Sequence, residues 1–180
     1  LVWMYFAGPV LDWVYGKSGV RRELMLLTEC ITSVEICAAG YVNVLTDGGF
    51  TLRCKEEAKN LVSQAGLDLD VLDRSTGVWR DVSTLSGGES FMTSLALALG
   101  LSDVAQARSG GVRLDSMFID EGFGSLDEES LRQAMELLSS LAGGSRMIGI
   151  ISHVGELKNR IDKKIIISKN LTGSSVTIEA

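Results

Sequence analysis

The sequence predicts an α/β fold: a mostly parallel sheet flanked by helices and followed by a terminal β-hairpin. Three observations carry this reading. Ser116-Met117-Phe118-Ile119 is a short apolar run ending in Asp120-Glu121, and Met147-Ile148-Gly149-Ile150-Ile151 is a second run ending in Ser152-His153. Bounded apolar runs of this length read as buried strands. Between them, Leu131, Ala134, Met135, Leu138 and Leu141 fall on one helical stripe that stops at Gly143-Gly144. The chain then closes with Lys164–Ser168 and Ser175–Glu179, two strand patterns around Asn170-Leu171-Thr172-Gly173.

Taken in order, the first 40 residues are the least regular. Leu1 to Tyr15 is very apolar, but it lacks a basic start, and Gly8-Pro9 and Asp12 interrupt it. It fits neither a secretory signal nor a spanning helix, which needs roughly 20 apolar residues. Gly16-Lys17-Ser18 invites a phosphate-loop reading, yet the glycine required five positions earlier is Leu11. Glu23 to Ala39 has helical spacing at Leu24, Leu27, Ile31, Val34 and Ala38. From Tyr41 the pattern sharpens. Asp47-Gly48-Gly49 is a turn, and Phe50–Cys54 alternates as a half-buried strand. Glu56 to Ala65 is polar, an exposed loop or short helix. Leu69–Asp73 and Val78–Val82 flank Arg74-Ser75-Thr76-Gly77, a hairpin leading straight into the next loop, with Trp79 expected to pack.

That loop is Thr84-Leu85-Ser86-Gly87-Gly88-Glu89-Ser90, followed by an apolar run from Phe91 to Val104. Ser86 and Glu89 have capping-box spacing, which places a helix start at Ser86. The helix is apolar nearly all round to about Ala105 and so is expected to be buried. Two glycines in its first turn leave backbone N–H groups bare, and a helix N-terminus with free N–H groups suits a phosphate. Arg108-Ser109-Gly110-Gly111 reads as a surface loop. Asp127 or Ser125 caps the later helix, Ser125-x-x-Glu128 being a second capping box, and Glu156 to Ile161 is a short amphipathic helix.

Two adjacent acids closing a buried strand are costly unless something uses them. A magnesium ion on a nucleotide would be such a partner, with one carboxylate near the metal and the next accepting a proton from water. Polar residues ending two adjacent parallel strands share one sheet edge, where open α/β folds bind ligands. Composition sets bounds. With 180 residues, 46% hydrophobic, one sizeable core is expected, and a net charge of −6 argues against a strong electrostatic grip on nucleic acid by this segment alone. A single histidine excludes a His-rich nuclease metal centre. Cys30, Cys37 and Cys54 lack C-x-x-C spacing and read as reduced thiols, Cys54 as core packing.

In this order and spacing, the stretches resemble the C-terminal lobe of an ABC-type P-loop ATPase. Leu85–Glu89 resembles the signature motif, Met117–Glu121 a Walker B with its catalytic glutamate, Ser125-Leu126-Asp127 a D-loop, and His153 a switch histidine. Glu121-Gly122-Phe123-Gly124-Ser125-Leu126-Asp127, with Ser83-Thr84 and Ser90-Phe91 around the signature, is similar to the SbcC family of DNA-repair nuclease ATPase subunits. The resemblance spans roughly residues 41–170. It leaves 1–40 unassigned, with the remnant of a coiled-coil boundary as the expectation there, and makes 41–180 the lobe.

The resemblance implies ATP and Mg2+ as cofactors, Asp120 at the metal, and Glu121 and His153 as catalytic residues. Ser86, Gly87, Gly88, Glu89 and Asp127 are the implied nucleotide contacts. The implied partners are an N-terminal lobe carrying Walker A, a second copy of the subunit, an SbcD-type nuclease and, through the complex, double-stranded DNA, all in the cytoplasm with no membrane. Without a Walker A of its own, the chain alone is expected to be inactive. Rival readings are another chromosome-associated or transporter ABC ATPase, or a non-catalytic module. Gly122-Phe123-Gly124, where transporters carry Pro-Thr-Ser, speaks against the transporter.

Overall fold

The structure, a computed structural model, describes residues 18–55, 68–108, 114–144, 146–170 and 173–179, with side chains from residue 29 onward except residue 170. The expectations for Leu1–Tyr15, Gly16-Lys17, Glu56–Ala65 and Ser109–Gly111 lie outside the described residues. Two compact units are present, divided between Leu114 and Asp115.

In the first unit, helix α1 (Ser18–Leu45) is longer than the stripe from Glu23 to Ala39 suggests and passes through the position-40 boundary. The reason is visible in its packing. Ala38, Val42 and Leu45, spaced i, i+4, i+7, are all buried, which outweighs the cost of Gly40, about 1 kcal/mol relative to Ala. A turn with Asp47 and Gly48 in the left-handed region (φ 47° and 78°) then leads into a three-stranded antiparallel sheet. Its strands are β1 (Phe50–Cys54), β2 (Leu69–Asp73) and β3 (Val78–Asp81). Leu52 and Val71 are buried, and Trp79 packs as expected, taking the Arg53 guanidinium 3.8 Å above its ring.

A single 3-10 turn, Val82–Thr84, joins β3 to helix α2 (Gly87–Arg108). Helices α1 and α2 approach closely. A Cβ on Gly100 would sit 2.8 Å from the Ala38 backbone nitrogen, and the Tyr41 hydroxyl donates to Asp103 Oδ2 at 2.6 Å. Met92, Leu95, Ala96 and Leu99 are buried, each large side chain contributing about 1.5–3 kcal/mol. The expectation of burial nearly all round needs correction. Ser94, Ala98 and Leu101, again i, i+4, i+7, form an exposed strip, with Leu101 56% exposed.

In the second unit, β4 (Ser116–Asp120) and β5 (Met147–Ile151) pair in parallel, in register from Ser116 with Met147 to Asp120 with Ile151. Among the described strands this is the parallel pairing; the other ladders are antiparallel. Phe118 stands opposite Gly149, and a Cβ there would lie 2.6 Å from the ring, so any larger residue would push the Phe118 side chain aside. Between these strands runs α3 (Glu128–Ala142), which buries Leu131, Ala134, Met135 and Leu138 as its stripe requires. Short helix α4 (Gly155–Arg160) follows, then the antiparallel hairpin β6 (Lys164–Asn170) and β7 (Gly173–Glu179). Strand β4 is not the buried strand that its apolar run suggests. Within this chain Phe118 is 67% exposed and Asp120 is exposed.

Candidate functional site

The signature loop is held by a chain of hydrogen bonds that starts on β3. Asp81 Oδ1 accepts the Ser83 N–H at 2.8 Å, and the same carboxylate pairs with Lys55. Hydrogen bonds from Lys55 and then Ser83 hold the Asp81 carboxyl well below its usual range. The Thr84 hydroxyl donates to the Asp81 carbonyl at 2.6 Å, which closes the turn. Arg80 then spans the loop. Its Nη1 donates to the Thr84 carbonyl at 3.0 Å and to Thr84 Oγ1 at 3.2 Å, and its Nη2 donates to Glu89 Oε1 at 3.2 Å.

The reciprocal capping box is present. Ser86 N–H donates to Glu89 Oε2 at 2.7 Å, and Glu89 N–H donates to Ser86 Oγ at 3.3 Å. Ser90 N–H reaches the Ser86 carbonyl at 2.8 Å, so Ser86 is the cap and Gly87 the first helical residue. Partial burial pushes the Glu89 carboxyl up, but the hydrogen bonds from Ser86 and the Arg80 charge outweigh it and hold it below its usual value. The first-turn N–H groups that this scheme leaves over are those of Gly87 and Gly88. The uncommitted donors of the first turn are therefore backbone amides, while Ser86 and Glu89 hold the geometry of the loop.

The acidic site is built at the C-terminal edge of the parallel pair. Glu121 N–H donates to the Ile151 carbonyl at 2.8 Å, extending the ladder by one residue. Glu121 then turns into the left-handed region (φ 58°), followed by Gly122 (φ 95°), and the chain leaves the strand sharply. A non-glycine residue held there costs about 1–3 kcal/mol, and such strain concentrates at functional sites. His153 Nδ1 lies 2.8 Å from Glu121 Oε2, with the side chains 81% and 48% exposed. The two sequence-predicted catalytic residues thus meet, beside the exposed Asp120, on the strand edge where the sequence reading put them.

Asp127 has a different occupation. Its Oδ1 accepts the Ser130 N–H at 2.8 Å and caps α3, and these hydrogen bonds hold its carboxyl below the usual value. Ser125, the other capping candidate, instead donates its hydroxyl to the Gly122 carbonyl at 2.8 Å. Ser86 to Glu89 stand in the first unit; Asp120, Glu121, Asp127 and His153 stand in the second. Among the described residues no group of three or more His, Cys, Asp or Glu could hold a metal. Arg80 is the residue that motif reading passed over. Its only sequence signal is a cation on the strand that enters the loop.

Residues 62–140 match the family described as SbcC/RAD50-like, Walker B motif. The chain is 47% identical over 173 residues to the SbcC subunit of the SbcCD nuclease from Vibrio cholerae serotype O1, covering 95% of this chain and 17% of that protein. It is 53% identical over 140 residues to the protein of the same name from Treponema pallidum, covering 76% of this chain and 13% of that protein. The chain therefore spans under a fifth of the length of these relatives. The 95% coverage also carries the likeness into the first 40 residues, beyond the 41–170 that the motifs alone delimit.

Among solved structures, the chain resembles one reported under "Structural biochemistry of ATP-driven dimerization and DNA stimulated activation of SMC ATPases". The TM-score is 0.68 at 17% identity, over 86% of this chain and 88% of that one. It also resembles an Smc head domain derived from Pyrococcus furiosus, with TM-score 0.63 at 17% identity, over 94% of this chain and 40% of that one. These likenesses fix the fold as that of an SMC/ABC-type ATPase head. By sequence, the chain belongs to the SbcC/RAD50-like family, its Walker B region being the part matched by the family model.

Proposed function

We propose that this chain supplies the signature and Walker B half of an ATP-hydrolysing head, and that hydrolysis there is coupled to DNA end processing by a partner nuclease. The observation that supports it best is the Glu121–His153 contact at the end of the parallel pair, next to Asp120 and on a strained backbone turn. The substrate is ATP on the phosphate loop of an N-terminal lobe, approached from the opposite side by the signature loop of a second copy. Gly87 and Gly88 N–H groups and the exposed Ser86 contact the γ-phosphate. His153 touches its other side.

The residues fit a magnesium site of the sparse kind. Mg2+ is held by one or two carboxylates together with substrate phosphates and water, and Asp120 is one exposed carboxylate at the right edge. When bound, the ion would supply charge neutralisation on the nucleotide's phosphates. Glu121 takes the proton of the attacking water as its oxygen bonds to phosphorus and the bond to the ADP oxygen breaks. His153 holds the Glu121 carboxylate in place before substrate arrives. Glu89 and Asp127 border the nucleotide while each also fixes a helix start, Glu89 through Ser86 and Asp127 through Ser130. The cytoplasm is the proposed setting of the complex; no described helix is long and apolar enough to cross a membrane.

The two adjacent acids should fail differently in the full two-lobe ATPase. Glu121→Gln is expected to bind ATP and dimerise, with turnover reduced by a factor on the order of 10² or more. Asp120→Asn is expected to weaken magnesium-dependent nucleotide binding itself. Nucleotide affinity and single-turnover hydrolysis separate the two. Near-normal turnover in Glu121→Gln would remove the catalytic assignment.

A further inference from the structure

We propose that Arg80 is a positioning residue of the signature loop, acting by neutralising Glu89 while bracketing the loop between Thr84 and Glu89; this rests on the ATPase reading above. The problem it solves is electrostatic. A carboxylate in a helix's first turn suits the helix dipole, but it repels a phosphate arriving at the same place. Glu89 follows directly on Gly88, so left unpaired it would oppose the ligand that the Gly87 and Gly88 amides attract. It cannot simply be dispensed with, because it accepts the Ser86 N–H at 2.7 Å and so fixes the cap.

Arg80 reconciles the two demands. It contacts Glu89 Oε1 at 3.2 Å, leaving Oε2 for Ser86. The other arm of the same guanidinium holds Thr84 from the far side of the loop, at 3.0 Å and 3.2 Å. Both ends of the Thr84–Glu89 segment are therefore tied to one rigid fork on a sheet strand, with the Phe50 ring 5.5 Å from the guanidinium carbon. A lysine point charge could meet one of these acceptors but not both in this geometry.

The test uses the full two-lobe ATPase, reading the ATP concentration for half-maximal dimerisation together with the thermal midpoint. Arg80→Gln is expected to raise that concentration roughly tenfold, in the range for losing a charge-assisted hydrogen bond. Adding Glu89→Gln should recover most of the loss, since the uncompensated charge goes while an amide oxygen still accepts from Ser86. Arg80→Lys should fall between. A purely structural pin would instead leave the double variant as poor as the single one, with both thermal midpoints lowered, and that result overturns the proposal. An unchanged Arg80→Gln overturns it too. Failure of the unmutated protein to dimerise with ATP overturns the underlying phosphate-site reading, and this proposal with it.

Discussion

Helices α2 and α3 begin with the same sequence pattern and use it in opposite ways. Ser86-x-x-Glu89 forms the reciprocal capping box, while Ser125-x-x-Glu128 forms none. At α3 the cap is Asp127, followed by Glu128 and Glu129, so three acids crowd the positive end of the helix. At α2 the cap is a neutral serine and the first turn holds two glycines. Its single acid, Glu89, is paired with Arg80. Each cap serves one amide, Ser130 at α3 and Glu89 at α2, so the two termini differ in charge: one is crowded by three acids, the other carries little net charge beside two bare glycines. Spacing announces a helix start. What the start is for depends on which charges surround the amides and whether they are already neutralised.

The largest expected effect comes from filling the open terminus. Ser86→Arg puts a long side chain where the γ-phosphate must approach, and should abolish ATP-driven dimerisation of the two-lobe protein in size-exclusion chromatography. Ser125→Arg, at the same place in the other motif, removes the described hydrogen bond to the Gly122 carbonyl without entering a bare helix start, and should cost less dimerisation than Ser86→Arg. Equal loss in both would erase the distinction between the two helix starts. A smaller effect separates α2 from its support. Gly100→Ala gains about 1 kcal/mol of helix propensity but presses a methyl to 2.8 Å from the Ala38 backbone. Overpacking against backbone costs about 1–3 kcal/mol, so net destabilisation should appear as a lower denaturant midpoint. A rise in midpoint would mean that α1 and α2 slide apart freely.

Much of this was legible because periodicity and turn chemistry agreed. The hairpin at Arg74–Gly77, with Gly77 at φ 69°, the stripe of α3 and the strand edge bearing Glu121 and His153 all follow from residue order. Burial was harder to read. Apolar runs at β4 and α2 suggested enclosure on every side, yet Phe118 and Leu101 are exposed, because composition does not say which faces find a partner. The cap of α3 was ambiguous for another reason. Ser125 and Asp127 both suit an N-cap, and the choice rests on the left-handed Gly122, which lets the Ser125 hydroxyl fold back onto it. Arg80 left almost no signal. Its importance comes from contacts four and nine residues away, across a turn whose geometry the sequence does not specify.

The smallest effect sharpens the comparison most finely, because it isolates charge from hydrogen bonding at the acidic terminus. Asparagine caps a helix about as well as aspartate, so Asp127→Asn should keep the bond to Ser130 and remove only the negative charge. The folded-state carboxyl of Asp127 is held below its usual value by those hydrogen bonds. A depressed carboxyl contributes stability that is present above its unfolded value, near 4, and is lost as pH falls through the folded value. The thermal midpoints of the two proteins should therefore differ slightly at neutral pH and converge in acid once the pH has fallen through the folded value, as acid removes the same charge from the unmutated chain. The gap should be small throughout, since Asp127 faces solvent and its charge is screened. Convergence assigns the gap to charge at the α3 terminus. A gap that stays constant from neutral pH to strong acid would mean that the amide itself distorts the cap, and that the three acids there do not set the character of this helix start.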